Sequence, residues 1–425
     1  MFSSTTDAKD GLSRLQITAL LARSLEGRTL RKVLILPPDF SRYHSNAGYI
    51  TCEYRRLLLE RGCKVDIMPA LGTHEPLSRY QWERMYPGIP YEEMIVHNWR
   101  TEVVKLGEVP ASFMESVTDG LWKEPVSCEV IRRVMDESYD LILSVGQVVP
   151  HEVIGMSNES KNLFVGVGGS DMISKSHMVS AVYGIENVMG KDYSPVRKLF
   201  DHCLKTFLQD RPILFVLTVT TAPQNEILTH GVFIGREREA LESAIALSQK
   251  KNITFLDRPI KKCVTYLPED EFKTTWIGNK AVYRTRMAID DGGELLVLAP
   301  GITRFGEDPK MDALIRKYGY HGTASTLRQY ENSEELRSNM GAAAHLIHAS
   351  SDDRFSITYA VRDITRQEVA DVGFGALDYE QTVKRYDPKK LAYGWNTMPD
   401  GEEIYFIPNP ALGLWIDKNR FGGRA

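Results

Sequence analysis

Long apolar runs, surplus positive charge and paired cysteines are all scarce in this chain, and each shortage removes a class of function. The longest apolar stretches, such as 33–36 and 213–217, fall far short of the roughly 18 to 20 residues that span a bilayer, so no membrane crossing is expected. Lysine plus arginine number 52 against 56 aspartates and glutamates, a net charge of −4. That leaves no basic field to collect nucleic-acid phosphates or anionic lipid. The 5 cysteines are scattered and form no C-x-x-C pair, which argues against a disulfide framework or a thiolate zinc knuckle and for small buried thiols. There is no G-x-G-x-x-G, no Walker pattern, no low-complexity tract and no short repeat. Residues 1–10 are polar and carry acid, unlike the basic start and apolar stretch of a signal peptide, and the chain is read as cytoplasmic.

What is present is a globular chain of 425 residues, 43% hydrophobic and 25% charged, long enough for two cores. Short apolar runs alternate with helical patterns, the signature of parallel strands joined by crossover helices. Strands are expected at 32–37, 65–68, 140–145, 213–220 and 231–234, with helices at 46–61 and 236–251. A second unit follows, with strands at 264–267, 293–300 and 356–361 and helices at 280–287, 307–318 and 333–348, the last capped by Asn332 or Ser333. The expected fold class is α/β in two domains, each a mostly parallel sheet flanked by helices, with a cleft between them for the chemistry. The expected division is an N-terminal catalytic domain at 1–258, a substrate-side domain at 259–395, and a segment at 396–425 returning to the N-terminal domain.

Three strand ends deliver chemically useful side chains to one edge of the first sheet, where ligands of open α/β sheets bind. The first ends in Asp39-Phe40-Ser41-Arg42, where an arginine fork suits a carboxylate or phosphate. The second ends in Gly72-Thr73-His74, and the third leads to Pro150-His151. Histidine is the side chain best matched to proton transfer near neutrality. Downstream lie Lys161, a possible covalent lysine, the glycine cluster Gly166, Gly168 and Gly169, and His177. By chemistry alone, His74, His151 and His177 could be three zinc ligands of a hydrolase, two acid–base groups plus a metal ligand, or ordinary residues.

The ordered set Asp39-x-x-Arg42, Gly72-Thr-His74, Pro150-His151, Lys161 and His177 resembles the nickel-dependent lactate racemase family, the nickel-pincer 2-hydroxyacid racemases and epimerases. The resemblance covers most of the chain and is weaker beyond about residue 258. It implies nickel held by a pyridinium-3,5-bisthiocarboxylic acid mononucleotide, with His177 as the protein's metal ligand and Lys161 as the covalent attachment. The 1–258 domain would then bind the cofactor, with the Asp39 to Arg42 loop, Gly168 and Gly169 holding it and Arg42 also holding the substrate carboxylate. One of His74 and His151 would take the substrate hydroxyl proton as hydride leaves the α-carbon, inverting the C2 centre of a small 2-hydroxy acid.

Two departures bear on the substrate. In place of the lactate enzymes' glycine-glycine-basic run, the chain reads Asn158-Glu159-Ser160 before Lys161. The second-domain glutamine and lysine pair is not reproduced, leaving Lys273 and Lys280 as candidate substrate residues. These departures point to a larger, more polar substrate such as a sugar acid. The competing readings are a zinc-dependent hydrolase and a non-catalytic carboxylate-binding protein.

Overall fold

A computed structural model describes residues 1–223 and 226–421 of the chain. The chain divides into two compact units, one of residues 1–176 and 189–252, the other of residues 177–188 and 253–425. The first unit is built on six strands in the order Phe2–Thr5, Leu228–Gly235, Ile213–Thr221, Leu141–Gln147, Lys32–Leu36, Lys64–Ile67. The last four of these run parallel, while Leu228–Gly235 and Phe2–Thr5 add antiparallel at one edge. The expected strand at 231–234 is therefore present but antiparallel to its neighbour.

The parallel strands are buried on both faces, which explains why they read as continuous apolar runs rather than alternations. Val33, Ile35, Leu141, Leu143, Val145 and Val216 share a core with Ile50, Tyr54 and Leu58 of the helix Ala47–Glu60. A hairpin, Val103–Val109 with Val126–Ile131, was not foreseen because Gly107 and a register shift interrupt its alternation.

The second unit carries six strands in the order Gly375–Asp378, Ser356–Val361, Ile289–Ala299, Ile260–Tyr266, Glu403–Ile407, Gly394–Thr397, all parallel but the last. Val264, Leu296, Leu298, Ala360, Ile404 and Phe406 form one of its cores. The expected return of 396–425 to the N-terminal domain is corrected here. Gly394–Thr397 and Glu403–Ile407 complete the second sheet, and Leu414–Asp417 pairs in parallel with Ile253–Leu256. Their apolar residues find strand partners in their own unit, which also begins at 253 rather than 259 and takes in 177–188.

The helix expected over 333–348 is two helices. Ser333 caps Glu334–Arg337, and Asn339 caps Met340–His348 through its side chain on the Ala342 amide. An asparagine that competes with the helix for backbone donors starts a new one.

Candidate functional site

The three expected strand ends belong to adjacent parallel strands of the first sheet, so their loops leave from the same edge. Asp39 follows Lys32–Leu36, His74 follows Lys64–Ile67 and His151 follows Leu141–Gln147. An isolated bridge between Pro38 and Ala70 keeps the first two loops side by side.

Asp39 is the buried N-cap of the 3-10 turn Phe40–Ser45. Its Oδ1 accepts from the Ser41 amide at 3.0 Å and the Ser41 hydroxyl at 2.5 Å, and its Oδ2 bonds His74 Nδ1. Burial pushes the Asp39 carboxyl up, but the His74, Ser41 and Arg42 interactions together hold it below the ordinary carboxylate value. With Nδ1–H donated to Asp39, the neutral His74 ring carries its lone pair on Nε2. The His74 side chain is 62% exposed, so that base is open to a ligand.

His151 is arranged the other way. It is buried on the short strand Pro150–His151, and its Nδ1 accepts the Val153 amide at 3.1 Å. The neutral ring therefore carries its proton on Nε2, which lies 3.9 Å from Glu152 Oε1. One imidazole is built as an acceptor and the other as a donor.

Arg42 is half-buried in the same turn, and among the described residues its guanidinium has no hydrogen-bonding or ion-pair partner. Phe40 stays with the turn itself, packed on Tyr43 at 5.4 Å between ring centroids. Lys161 lies within the field of this loop. Burial first, then the Arg42 charge, lower its ammonium to about 8; Glu152 and Asp39 act weakly the other way, and Arg197 adds to the lowering. A lysine in that range is half neutral near pH 8 and able to act as a nucleophile. Arg42 and Lys161 thus lie within each other's field, two cationic side chains whose charge suits an anionic ligand.

The local fold that presents Lys161 was invisible in the sequence. The lysine precedes a π-helical turn, Asn162–Gly166, an irregularity found often at functional sites. Buried Asn162 donates to Leu36 O and to Ser144 Oγ, each at 3.0 Å, tying the lysine's neighbour to two adjacent strands. Gly168 and Gly169, expected to hold the cofactor, are also packed closely against the protein. A Cβ on Gly168 would sit 1.9 Å from the Phe164 carbonyl oxygen, and one on Gly169 would sit 2.1 Å from Glu129 Oε2. Their missing side chains let this turn and the 126–131 strand close on each other.

Asn158, Glu159 and Ser160, expected to shape the substrate's surroundings, are turned into the protein. All three are buried, and Glu159 and Ser160 bond Arg197, at 3.1 Å and 2.8 Å. Asn158 and Glu159 adopt left-handed backbone angles, φ 71° and 57°, which glycines would take without strain.

His177, Lys273 and Lys280 belong to the second unit. His177 is half-buried on the helix Ser170–Tyr183, Lys273 is exposed, and half-buried Lys280 begins the helix Lys280–Thr285. Beside Lys280, Trp276 stacks on His345, whose two ring nitrogens bond the Tyr283 and Tyr320 hydroxyls at 2.8 Å and 3.0 Å. No group of three or more His, Cys, Asp or Glu forms a metal site among the described residues. The zinc-hydrolase reading therefore has no preformed three-histidine site behind it. Of the residues that the resemblance assigns to a nickel group, Lys161 is a lysine of lowered basicity and Arg42 a half-buried cation beside it, which fits an anionic, lysine-linked group.

Residues 19–188 match the lactate racemase N-terminal domain family. No curated protein matches the chain. Among solved structures, a Thermotoga maritima protein aligns at a TM-score of 0.80 and 23% identity, covering 96% of this chain and 99% of that one. The lactate racemase apoprotein from Thermoanaerobacterium thermosaccharolyticum aligns at 0.70 and 14% identity over 96% of each chain. At these identities the two structures show a shared fold, and the family match covers the region holding Asp39, His74, His151, Lys161 and His177. No helix among the described residues is long and apolar enough to cross a membrane.

Proposed function

From the match of residues 19–188 to the lactate racemase N-terminal domain family, we propose that this protein is a racemase or epimerase that inverts the C2 centre of a 2-hydroxy acid. The observation that carries the reading is the Asp39–His74 pair set beside Arg42 and Lys161. It joins an oriented base, an anion clamp and a lysine of lowered basicity on one sheet edge.

In this reading Arg42 takes the substrate carboxylate as a bidentate fork and so fixes the α-carbon against the site. His74 Nε2 removes the hydroxyl proton, and Asp39 stabilises the imidazolium that forms. His151 donates Nε2–H to the substrate oxygen as its charge develops. Returning the proton from His74 completes the cycle at that oxygen. Lys161 would hold the nickel-pincer nucleotide through a thioamide, and His177 would be the protein's ligand to the metal. When bound, that group supplies the acceptance and return of hydride at the α-carbon, which spares the protein the removal of a proton from a very weak carbon acid.

The substrate is a small 2-hydroxy acid. A sugar acid keeps support only from the second unit around Lys273 and Lys280, because Asn158, Glu159 and Ser160 direct their polar groups into the protein. Protein loaded with cofactor should be given lactate, malate, an aromatic 2-hydroxy acid and gluconate, each as one stereoisomer, and the products resolved by chiral chromatography. Inversion at C2 of at least one supports the reading, and its absence from all four, with cofactor demonstrably bound, rejects it.

A further inference from the structure

We infer that Arg197 is a positioning residue for Lys161, its guanidinium holding the 156–160 turn in the left-handed shape that carries the lysine into the site. The inference rests on the reading of Lys161 as the cofactor-bearing lysine. Arg197 lies on the helix Pro195–Phe207 and is 1% exposed. One planar fork meets four acceptors: Met156 O at 2.7 Å, Ser160 Oγ at 2.8 Å, Glu159 Oε2 at 3.1 Å and Asn158 O at 3.3 Å. All of them belong to the five residues immediately before Lys161.

That turn would not keep its shape unaided. Two successive non-glycine residues, Asn158 and Glu159, hold positive φ, a state that persists where the surroundings over-determine it. Two of the turn's bonds, Glu159 N to Asn158 Oδ1 at 2.7 Å and Ser160 N to Glu159 Oε2 at 2.5 Å, are local, and Ser157 anchors its start to the 147–149 backbone, its Oγ donating to Gln147 O at 2.7 Å and its amide to Val149 O at 2.8 Å. Arg197 is the contact that ties it to a separate helix. A buried ion pair is by itself weak evidence for stability, since apolar replacements of both partners are often tolerated. The geometry makes a different demand: two bonds of the fork hold the backbone carbonyls of Met156 and Asn158, and the other two hold the side chains of Glu159 and Ser160, the residues that lead into 161. Asp39, Arg42, Glu152 and Arg197 are the charges acting on Lys161, and releasing the turn lets the ammonium move away from burial and from the arginines.

The test uses the full chain without cofactor. Trace acetylation of Lys161 is followed by peptide mass spectrometry from pH 6 to 11, for wild type, Arg197→Lys, and the paired Arg197→Met/Glu159→Gln, with thermal unfolding to verify folding. Wild type should titrate near 8. The paired variant should fold, and its midpoint should rise by about one pH unit or more, lowering labelling at pH 8 about fivefold or more. Arg197→Lys should shift the same way by less, since an ammonium keeps the charge and loses the fork. A folded paired variant with the wild-type midpoint and rate would reduce Arg197 to a structural ion pair. If the paired variant does not fold, an unchanged midpoint in Arg197→Lys overturns the inference. Failure of the covalent-lysine reading shows separately, as loaded wild type without added mass at Lys161.

Discussion

His74 and His151 put the same ring chemistry to opposite use, because each has its Nδ1 committed to a different partner. Asp39 fixes His74 as an acceptor at Nε2, so Asp39→Asn should keep the fold and lower kcat about a hundredfold or more with little change in KM, measured by racemisation kinetics. Arg42→Lys keeps the charge and loses the fork. KM should rise about tenfold or more, while unchanged kinetics would make Arg42 a surface charge. Lys161 also writes itself into the pH dependence of stability. Its ordinary value of 10.5 falls to about 8 in the folded cofactor-free chain, so between those values the unfolded state binds the extra proton and stability rises with pH. Below 8 the folded state bears the full cost, on the order of 3 kcal/mol. Urea unfolding from pH 7 to 10 should show this rise in wild type and lose it in Lys161→Met.

At the scale of elements, the site depends on backbone carbonyls held by strand hydroxyls. Thr218 and Thr220 on Ile213–Thr221 donate to Ser45 O and His44 O, each at 2.8 Å, and so pin the turn that carries Asp39 and Arg42. Gly168→Ala should destabilise the protein by about 1 to 3 kcal/mol, read as a lowered Tm, because the new Cβ meets the Phe164 carbonyl. A normal Tm would mean that the turn opens readily and the glycine is there for a ligand after all. The strands that end at Asp39, His74 and His151 were legible because buried parallel strands read as apolar runs and their ends fall at one sheet edge. The 158–160 turn was not legible. Its polar residues look solvent- or substrate-directed in sequence, and their partner Arg197 lies 37 positions beyond Ser160 on an ordinary amphipathic helix. The π turn after Lys161 was hidden for the same kind of reason, since the Asn162 side chain is fixed by Leu36 and Ser144, both distant in sequence.

For the whole molecule, two α/β units were legible from length and strand pattern, and the placement of the last strands was not. Glu403–Ile407 enters the second sheet beside Ile260–Tyr266, a pairing between segments some 140 residues apart that no local pattern announces. The second unit also holds 177–188 through an ionic contact, with Glu186 Oε1 accepting from Arg286 at 3.0 Å and Arg354 at 2.7 Å. The segment bearing His177 thus belongs by its contacts to the unit that carries Lys273 and Lys280. The central claim is inversion at C2 by moving the α-hydrogen as hydride. It is tested most directly by giving the cofactor-loaded protein an α-deuterated substrate in ordinary water and measuring deuterium in the inverted product by mass spectrometry. Hydride transfer leaves most of the deuterium in the inverted product, and deuterium replaced by solvent hydrogen at the rate of inversion would rule it out.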